Sequence, residues 1–266
     1  MKNEAVKIGI IGGTGVYDPA LLKDARQIKV YTPFGTTSDL ITIGEYAGKQ
    51  IAFLPRHGTH HHIPPHHIPY RANLWALNQL GVERLISPRA VGSLHEELAP
   101  GDIVITDQFV DFTKRRESTF YDGGEVGHIS VAEPFCPELR QLAIQSAQKT
   151  GVTVHPDGTS ICIEGPRYST RAESIYFRDA CKASTIGMTL VPECVLAREL
   201  EICYLSIEAV TDYDSWSDEV VDTRVVKEVM KKNSQTLRDI LLDLIPKIPE
   251  GRNQCDCEHA LEHAMI

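Results

Sequence analysis

The sequence predicts an α/β protein, a single-domain mixed β-sheet flanked by helices, and three observations lead there. Short β-branched apolar runs recur along the chain, and amphipathic helical stretches lie between them. No repeat, low-complexity segment or linker interrupts the alternation before about Pro246. The 266 residues are 42% hydrophobic, enough for a substantial core within one domain. Residues 1–248 therefore read as one domain, and 249–266 as a polar tail on the surface that carries Cys255-Asp256-Cys257.

Taken in order, residues 6–12 (VKIGIIG) form a short β-branched run ending in glycines, the signature of a buried strand. Residues 50–54 and 82–86 have the same character, and 102–107 and 202–210 add further strands. Between them, residues 68–80 repeat apolar side chains at Ile68, Ala72, Trp75, Ala76 and Leu80, a helical spacing. Residues 137–150 open with Pro137 in a first-turn position and end before Gly151. Thr170-Arg171-Ala172-Glu173 fits a capping box opening another helix. The longest helix is expected over 223–245, with Val225, Val229, Leu237, Ile240, Leu241 and Leu244 on one stripe.

Charge and composition exclude several classes of function. The formal net charge is −9 and no strongly basic stretch occurs, so nucleic acid is not an expected partner. No apolar run approaches the ~20 residues that cross a bilayer, and Met1-Lys2-Asn3-Glu4 leads straight into a strand without a signal-peptide core. A cytoplasmic protein with no membrane partner is expected. The seven cysteines are an odd number, which argues against a complete secreted disulfide framework.

Residues able to carry chemistry collect at strand ends. Gly9-Ile10-Ile11-Gly12-Gly13-Thr14-Gly15 can bring backbone N–H groups and the Thr14 hydroxyl to an anion, or can be a simple turn. Its spacing matches neither a dinucleotide fingerprint nor a Walker A loop. The acidic ribose reader expected about twenty residues beyond such a fingerprint is missing as well. Arg56-His57-Gly58 ends a strand, where an arginine can hold phosphate bidentately or cap the strand. His57, His60, His61, His62, His66 and His67 fall within eleven residues. Pro64, Pro65 and Pro69 break any helix that would converge them, and no acid lies among them, so no native metal site is expected. Tyr168, after Arg167, can stack on a planar heterocycle or pack in the core. Asp212 and Asp214 follow an apolar strand, where paired carboxylates suit a ligand presenting N–H donors. A protonated Asp would instead donate to a ring nitrogen.

Several collinear segments carry a resemblance. They are GIIGGTG (9–15), TPFGTTSD (32–39), RHG (56–58), YRANLWAL (70–77), PGDIVITDQFVD (100–111), AEPFCP (132–137), IEGPRYSTRAES (163–174), GMTLVPECVLARE (187–199) and TDYDSW (211–216). Together they resemble the 5′-methylthioadenosine phosphorylase branch of the trimer-forming purine nucleoside phosphorylases. The resemblance implies a purine nucleoside phosphorylase-like fold and the cleavage of a purine nucleoside by inorganic phosphate. Phosphate is then a co-substrate, and no cofactor or metal is expected. Methylthioadenosine is the implied nucleoside, with adenosine a further candidate. The alternatives are a methylthioinosine or broad-specificity purine nucleoside phosphorylase and, outside the family, a dinucleotide binder or a histidine-rich metal protein.

The resemblance also assigns residues. Phosphate is expected at Thr14, Arg56, His57 and Thr189, with a backbone amide near Ala90. Met188 is expected under the ribose, and Tyr168 and Ser169 near the purine. Asp212 and Asp214 are expected along the N7/N6 edge as the catalytic, base-reading pair. His61 is placed near phosphate and sugar, His128 near the sugar 5′ end, and Val225 in the apolar wall of the 5′ pocket. An ionised Asp accepts from a 6-amino group and repels O6, which favours 6-aminopurines. A homotrimer or homohexamer is implied, neighbours completing the 5′ pocket through the His128 segment. Two features depart from the family pattern. Pro88-Arg89 stands where a small polar residue is usual, and Arg89 is expected either near the phosphate or turned outward. Cys255-Asp256-Cys257 resembles tails of archaeal relatives for which redox or disulfide roles have been inferred. The other reading is a solvated, reduced dithiol in a mobile tail. An approach of Cys136 to Cys203 is a further possibility.

Overall fold

A computed structural model describes residues 6–13, 22–218, 223–252 and 254–266. The strands are β1 (Ile8–Gly12), β2 (Lys23–Ile28), β3 (Ile41–Tyr46), β4 (Lys49–Pro55), β5 (Arg84–Ser93), β6 (Ile103–Ile105), β7 (Gln108–Phe112), β8 (Val154–His155), β9 (Thr159–Ile163), β10 (Thr185–Gly187) and β11 (Cys203–Asp212). The helices are α1 (Tyr70–Gln79), α2 (Pro137–Gln148), α3 (Arg171–Asp179), α4 (Glu193–Glu199) and α5 (Thr223–Leu244). All the strands join one mixed sheet whose main path runs β2-β3-β4-β1-β5-β10-β9-β7. β5 is its branch point. It pairs in parallel with β1 at one end and with β11 along its length, then antiparallel with β10 at Gly92 and Ser93.

The central strands are apolar on both faces, as strands covered on two sides must be. Ile8 and Ile10 of β1, Ile51 and Phe53 of β4, and Leu205 and Ile207 of β11 enter one core, which α2 and α5 cover. Ile11, Ala52, Leu54 and Leu85 point the other way into a second core, with α1 and α4 packed against it. This alternation puts β1, β4, β5 and β11 side by side in one direction, so that their C-terminal ends open at the same edge. Open α/β sheets bind ligands at that edge.

Most expected elements are present, with shifted bounds. The strand expected at 82–86 runs on to Ser93 through Pro88. Pro88 falls between the β1 and β10 pairings, where β5 has only β11 beside it, so its missing N–H is tolerated. The capping box is present: Thr170 Oγ1 accepts from Glu173 N at 3.2 Å, and Glu173 Oε2 accepts from Thr170 N at 2.7 Å. The polar tail expected on the surface needs correction. Cys257 and Ala264 are buried, and the Arg84 guanidinium reaches in to donate to the Gly251 carbonyl at 2.5 Å. Cys257, with Cys255 against it, joins the core at the foot of the sheet, and Arg252 donates to the Glu201 carbonyl at 2.6 Å.

Candidate active site

At the C-terminal edge of β1, β4, β5 and β11 lies a cavity of about 970 Å³. Its size suits a small-molecule ligand. Gly13, Arg56, His57, Ala90 and Thr189 line it, as do Tyr168, Ser169, Met188, Asp212 and Asp214. His61 also lines it, its ring stacked on His57 with centroids 4.4 Å apart. One face of α5, including Val226 and Met230, forms a further wall. Ten of the residues assigned from sequence thus meet in one cavity, although they come from five strands and the loops beyond them. Thr14 lies outside the described residues, and so does the Val225 side chain. His128 lines no part of its own chain's cavity: it is exposed, and its backbone N–H donates to the Ala264 carbonyl at 2.8 Å.

The cationic end is built on a buried charge network. Arg56 is 1% exposed. Its Nε donates to Glu193 Oε2 at 2.8 Å, and its Nη2 donates to the Ile11 carbonyl at 2.8 Å and to Ser87 Oγ at 2.5 Å. Arg89 approaches the same carboxylate, Nη2 lying 3.1 Å from Glu193 Oε1 and also bonded to Ser87 and Tyr204. One glutamate therefore fixes two arginines at the cavity wall. Burial pushes the Glu193 carboxyl up, but Arg56 and Arg89, with hydrogen bonds from Arg56 and Ser87, outweigh it and hold the group below the usual range. The outward orientation left open for Arg89 is corrected: it is buried, and its Nε and Nη1 have no partner. Glu193 went unnoticed in the sequence. Its only signal is an isolated acid in the apolar run Leu190-Val191-Pro192-Glu193-Cys194-Val195-Leu196. Burial and the adjacent Arg56 depress His57 to about 4, so the imidazole is neutral at neutral pH. Its Nδ1 sits 2.9 Å from the Ile63 carbonyl, which can only accept, so Nδ1 carries the hydrogen.

The acidic end is preorganised. The strand expected to end at Val210 runs two residues further, so Asp212 is the last residue of β11. Its Oδ2 accepts from Thr211 Oγ1 at 2.7 Å, and its Oδ1 accepts from the Asp214 backbone N–H at 2.9 Å. Asp214 is 4% exposed and sits at φ +47°, a left-handed conformation in which Asp is tolerated. Both carboxyls are raised, chiefly by burial. Between the two ends, Met188 packs against Gly165, where an added Cβ would lie 2.6 Å from its sulfur.

Other sequence features fall elsewhere. Arg167 pairs with Glu173 at the surface. His66 and His67 line a separate hollow beside Phe34 and Tyr70. Among the described residues, the one group with metal-ligand spacing contains no histidine: it is Cys136, Cys203, Cys255 and Cys257, whose sulfurs all lie within 4.8 Å of one another. Cys136 and Cys203 do approach, and the tail pair joins them. Cys257 is buried, so a fully solvated dithiol is ruled out. The cluster sits at the opposite end of β11 from Asp212, about 30 Å away at the rise of an extended strand.

Comparison with known proteins agrees with this geometry. The sequence model of the phosphorylase superfamily matches residues 7–246. The S-methyl-5′-thioadenosine phosphorylase of Thermofilum pendens is 57% identical over 263 residues, 99% of this chain and 100% of the relative. A methylthioadenosine phosphorylase from an antarctic soil metagenomic library superposes with a TM-score of 0.93 at 41% identity, covering 100% of this chain and 93% of the other. A variant of the Schistosoma mansoni adenosine/methylthioadenosine phosphorylase, solved with methylthioadenosine, gives a TM-score of 0.83 at 42% identity over 90% of each chain. This chain belongs to the phosphorylase superfamily, in its S-methyl-5′-thioadenosine phosphorylase branch.

Proposed function

We propose that this chain catalyses the phosphorolysis of 5′-methylthioadenosine, with adenosine as a second substrate, to adenine and the sugar 1-phosphate. One observation carries the reading: a single cavity holds a buried arginine pair with a neutral histidine at one end and two desolvated aspartates at the other. The first end suits phosphate and the second a purine edge, with the glycosidic bond between them.

In this reading phosphate lies on Arg56, Thr189 and the Ala90 backbone, with Thr14 completing the site. Neutral His57, its Nδ1–H committed to Ile63, presents Nε2 as an acceptor for a P–OH group. As the glycosidic bond loosens, positive charge grows on the sugar and negative charge on the purine. Phosphate faces the first, and a proton shared from Asp212 toward N7 neutralises the second. Asp214 accepts from the 6-amino group. A 6-oxopurine would set O6 against that carboxylate, so the methylthioinosine alternative is disfavoured. Met188 and His61 hold the ribose, Tyr168 and Ser169 flank the base, and Val225 adds to the 5′ wall. The steps are positioning and electrostatics, with inorganic phosphate as co-substrate and no cofactor or metal called upon.

A homotrimer or homohexamer is part of the proposal. Exposed His128 beside Val126, which is 52% exposed, is available to enter a neighbour's 5′ pocket. Among the described residues no helix is long and apolar enough to cross a membrane, and the cytoplasm is the proposed location. The test is phosphate-dependent release of base from methylthioadenosine, adenosine, methylthioinosine and inosine. Cleavage of the first is expected to be fastest, and Asp212→Asn is expected to lower its kcat/KM by about 10²–10⁴-fold. Cleavage of none of the four would end the proposal.

A further inference from the structure

Ser174 lies one turn into α3, is fully buried and lines no part of the cavity. Its hydroxyl oxygen is 2.5 Å from Asp214 Oδ2, 2.8 Å from Ser169 Oγ and 3.0 Å from the Thr170 carbonyl. Ser169, which does line the cavity, places its own hydroxyl 3.0 and 2.8 Å from the two Asp214 oxygens. Each serine has a single hydrogen to give. The shortest contact of Ser174 is to Asp214, and among the described residues Asp214 is the one partner of the Ser169 hydroxyl that, when ionised, can only accept. The arrangement is satisfied when both hydrogens point at one carboxylate. A carboxylate receiving two hydroxyl donors is stabilised as an anion and keeps only acceptor capacity for a ligand. Protonating Asp214 would cost both of these bonds their charge assistance.

We infer that Ser174 is a specificity-determining positioning residue: from behind the pocket it fixes Asp214 as an acceptor and thereby selects a 6-amino over a 6-oxo purine. This rests on the reading of Asp214 as the group that meets the purine 6-substituent. Without the Ser174 hydrogen, Asp214 keeps only the Ser169 hydroxyl and the Ser215 backbone N–H as donors in a desolvated setting. Burial, which already raises its carboxyl, then favours the protonated form. That form can donate to O6. Ser174 thus acts through a hydrogen it never offers to substrate.

The test compares wild type with Ser174→Ala and with Ser174→Cys, which keeps the volume but weakens the donor. The readout is the ratio of kcat/KM for methylthioadenosine to kcat/KM for methylthioinosine. In Ser174→Ala the ratio is expected to fall at least about tenfold, which is about 1.4 kcal/mol of discrimination. The change should appear with both nucleosides while the phosphate KM stays within about twofold. Ser174→Cys should fall between the other two. A purely structural role would lower both nucleosides together and leave the ratio unchanged, and that result would overturn the inference while leaving the proposed function standing. A wild-type enzyme that cleaves neither nucleoside removes both. If Ser174→Ala does not fold, the ratio in Ser174→Cys decides, and a value equal to wild type counts against the inference.

Discussion

Replacing Glu193 with alanine tests whether the cationic end of the cavity is held together as described. In the native chain this one buried carboxylate bonds Arg56 and Arg89, with Ser87 and Tyr204 completing its partners. Its removal leaves two guanidinium groups desolvated and uncompensated, and breaking a buried pair in this way costs about 3–5 kcal/mol. Unfolding entropy near the midpoint is about 2.1 cal/mol/K per residue, so about 0.56 kcal/mol/K for a chain of this length. The expected fall in Tm is therefore about 5–9 °C, measured by calorimetry in a weakly binding buffer. In the proposed reading, inorganic phosphate supplies a replacement anion beside the same arginines. Saturating phosphate is expected to raise the Tm of Glu193→Ala more than that of wild type. The acid limb has a defined sign. Because the folded-state carboxyl sits below its unfolded value, its contribution is present above about pH 4.3 and is lost as pH falls through the folded value. The gap between wild type and variant should close in that direction. A Tm within about 2 °C of wild type at neutral pH would refute the assignment of Glu193 as the tie between the two arginines.

Two further outcomes follow from the site geometry. His57, depressed to about 4 against 6.5 for a free imidazole, makes the unfolded chain bind more protons between those values. Stability should fall by up to about 3 kcal/mol as pH drops across that window. His57→Gln should flatten that part of a urea-unfolding profile, and an unchanged slope would count against a neutral His57. Gly165 sits at φ +66° against the Met188 sulfur, so Gly165→Ala is both strained and crowded. It is expected to cost about 1–3 kcal/mol of stability. If Met188 supports the ribose, the nucleoside KM should rise about tenfold, and an unchanged KM would remove Met188 from that role.

How much of this was legible in the sequence depended on whether a signal was local. β1 and β4 could be read because burial on both faces leaves a continuous apolar run, and β11 because Ser206 and Glu208 alone interrupt one between Cys203 and Val210. β2, Lys-Asp-Ala-Arg-Gln-Ile, has no such run and is exposed along most of its length. It is a strand because it pairs with β3, and that pairing leaves no mark in the residues of β2 themselves. The site divides in the same way. Arg56 and Asp212 stood out because each ends a recognisable strand. Glu193 lies 137 residues from Arg56 and Ser174 lies 40 residues before Asp214, so neither partnership has a local signature. The tail was misread because Cys255, Cys257 and Ala264 are sparse among polar neighbours. The two cysteines pack against the core at the foot of the sheet, and Ala264 lies by the His128 segment, so neither placement follows from a periodicity of the tail itself.

β11 joins two kinds of chemistry that have no other reason to be joined. Asp212 ends it beside the cavity, while Cys203 begins it among four thiols, with the Arg84 guanidinium 3.2 Å from its sulfur. Two of those thiols belong to the C-terminal segment, so the cluster acts as a mooring for that segment. All four thiols of the cluster are unbridged, and none of them lines the cavity. One strand thus ties the C-terminal segment to the sheet at its first residue and supplies a carboxylate to the cavity at its last.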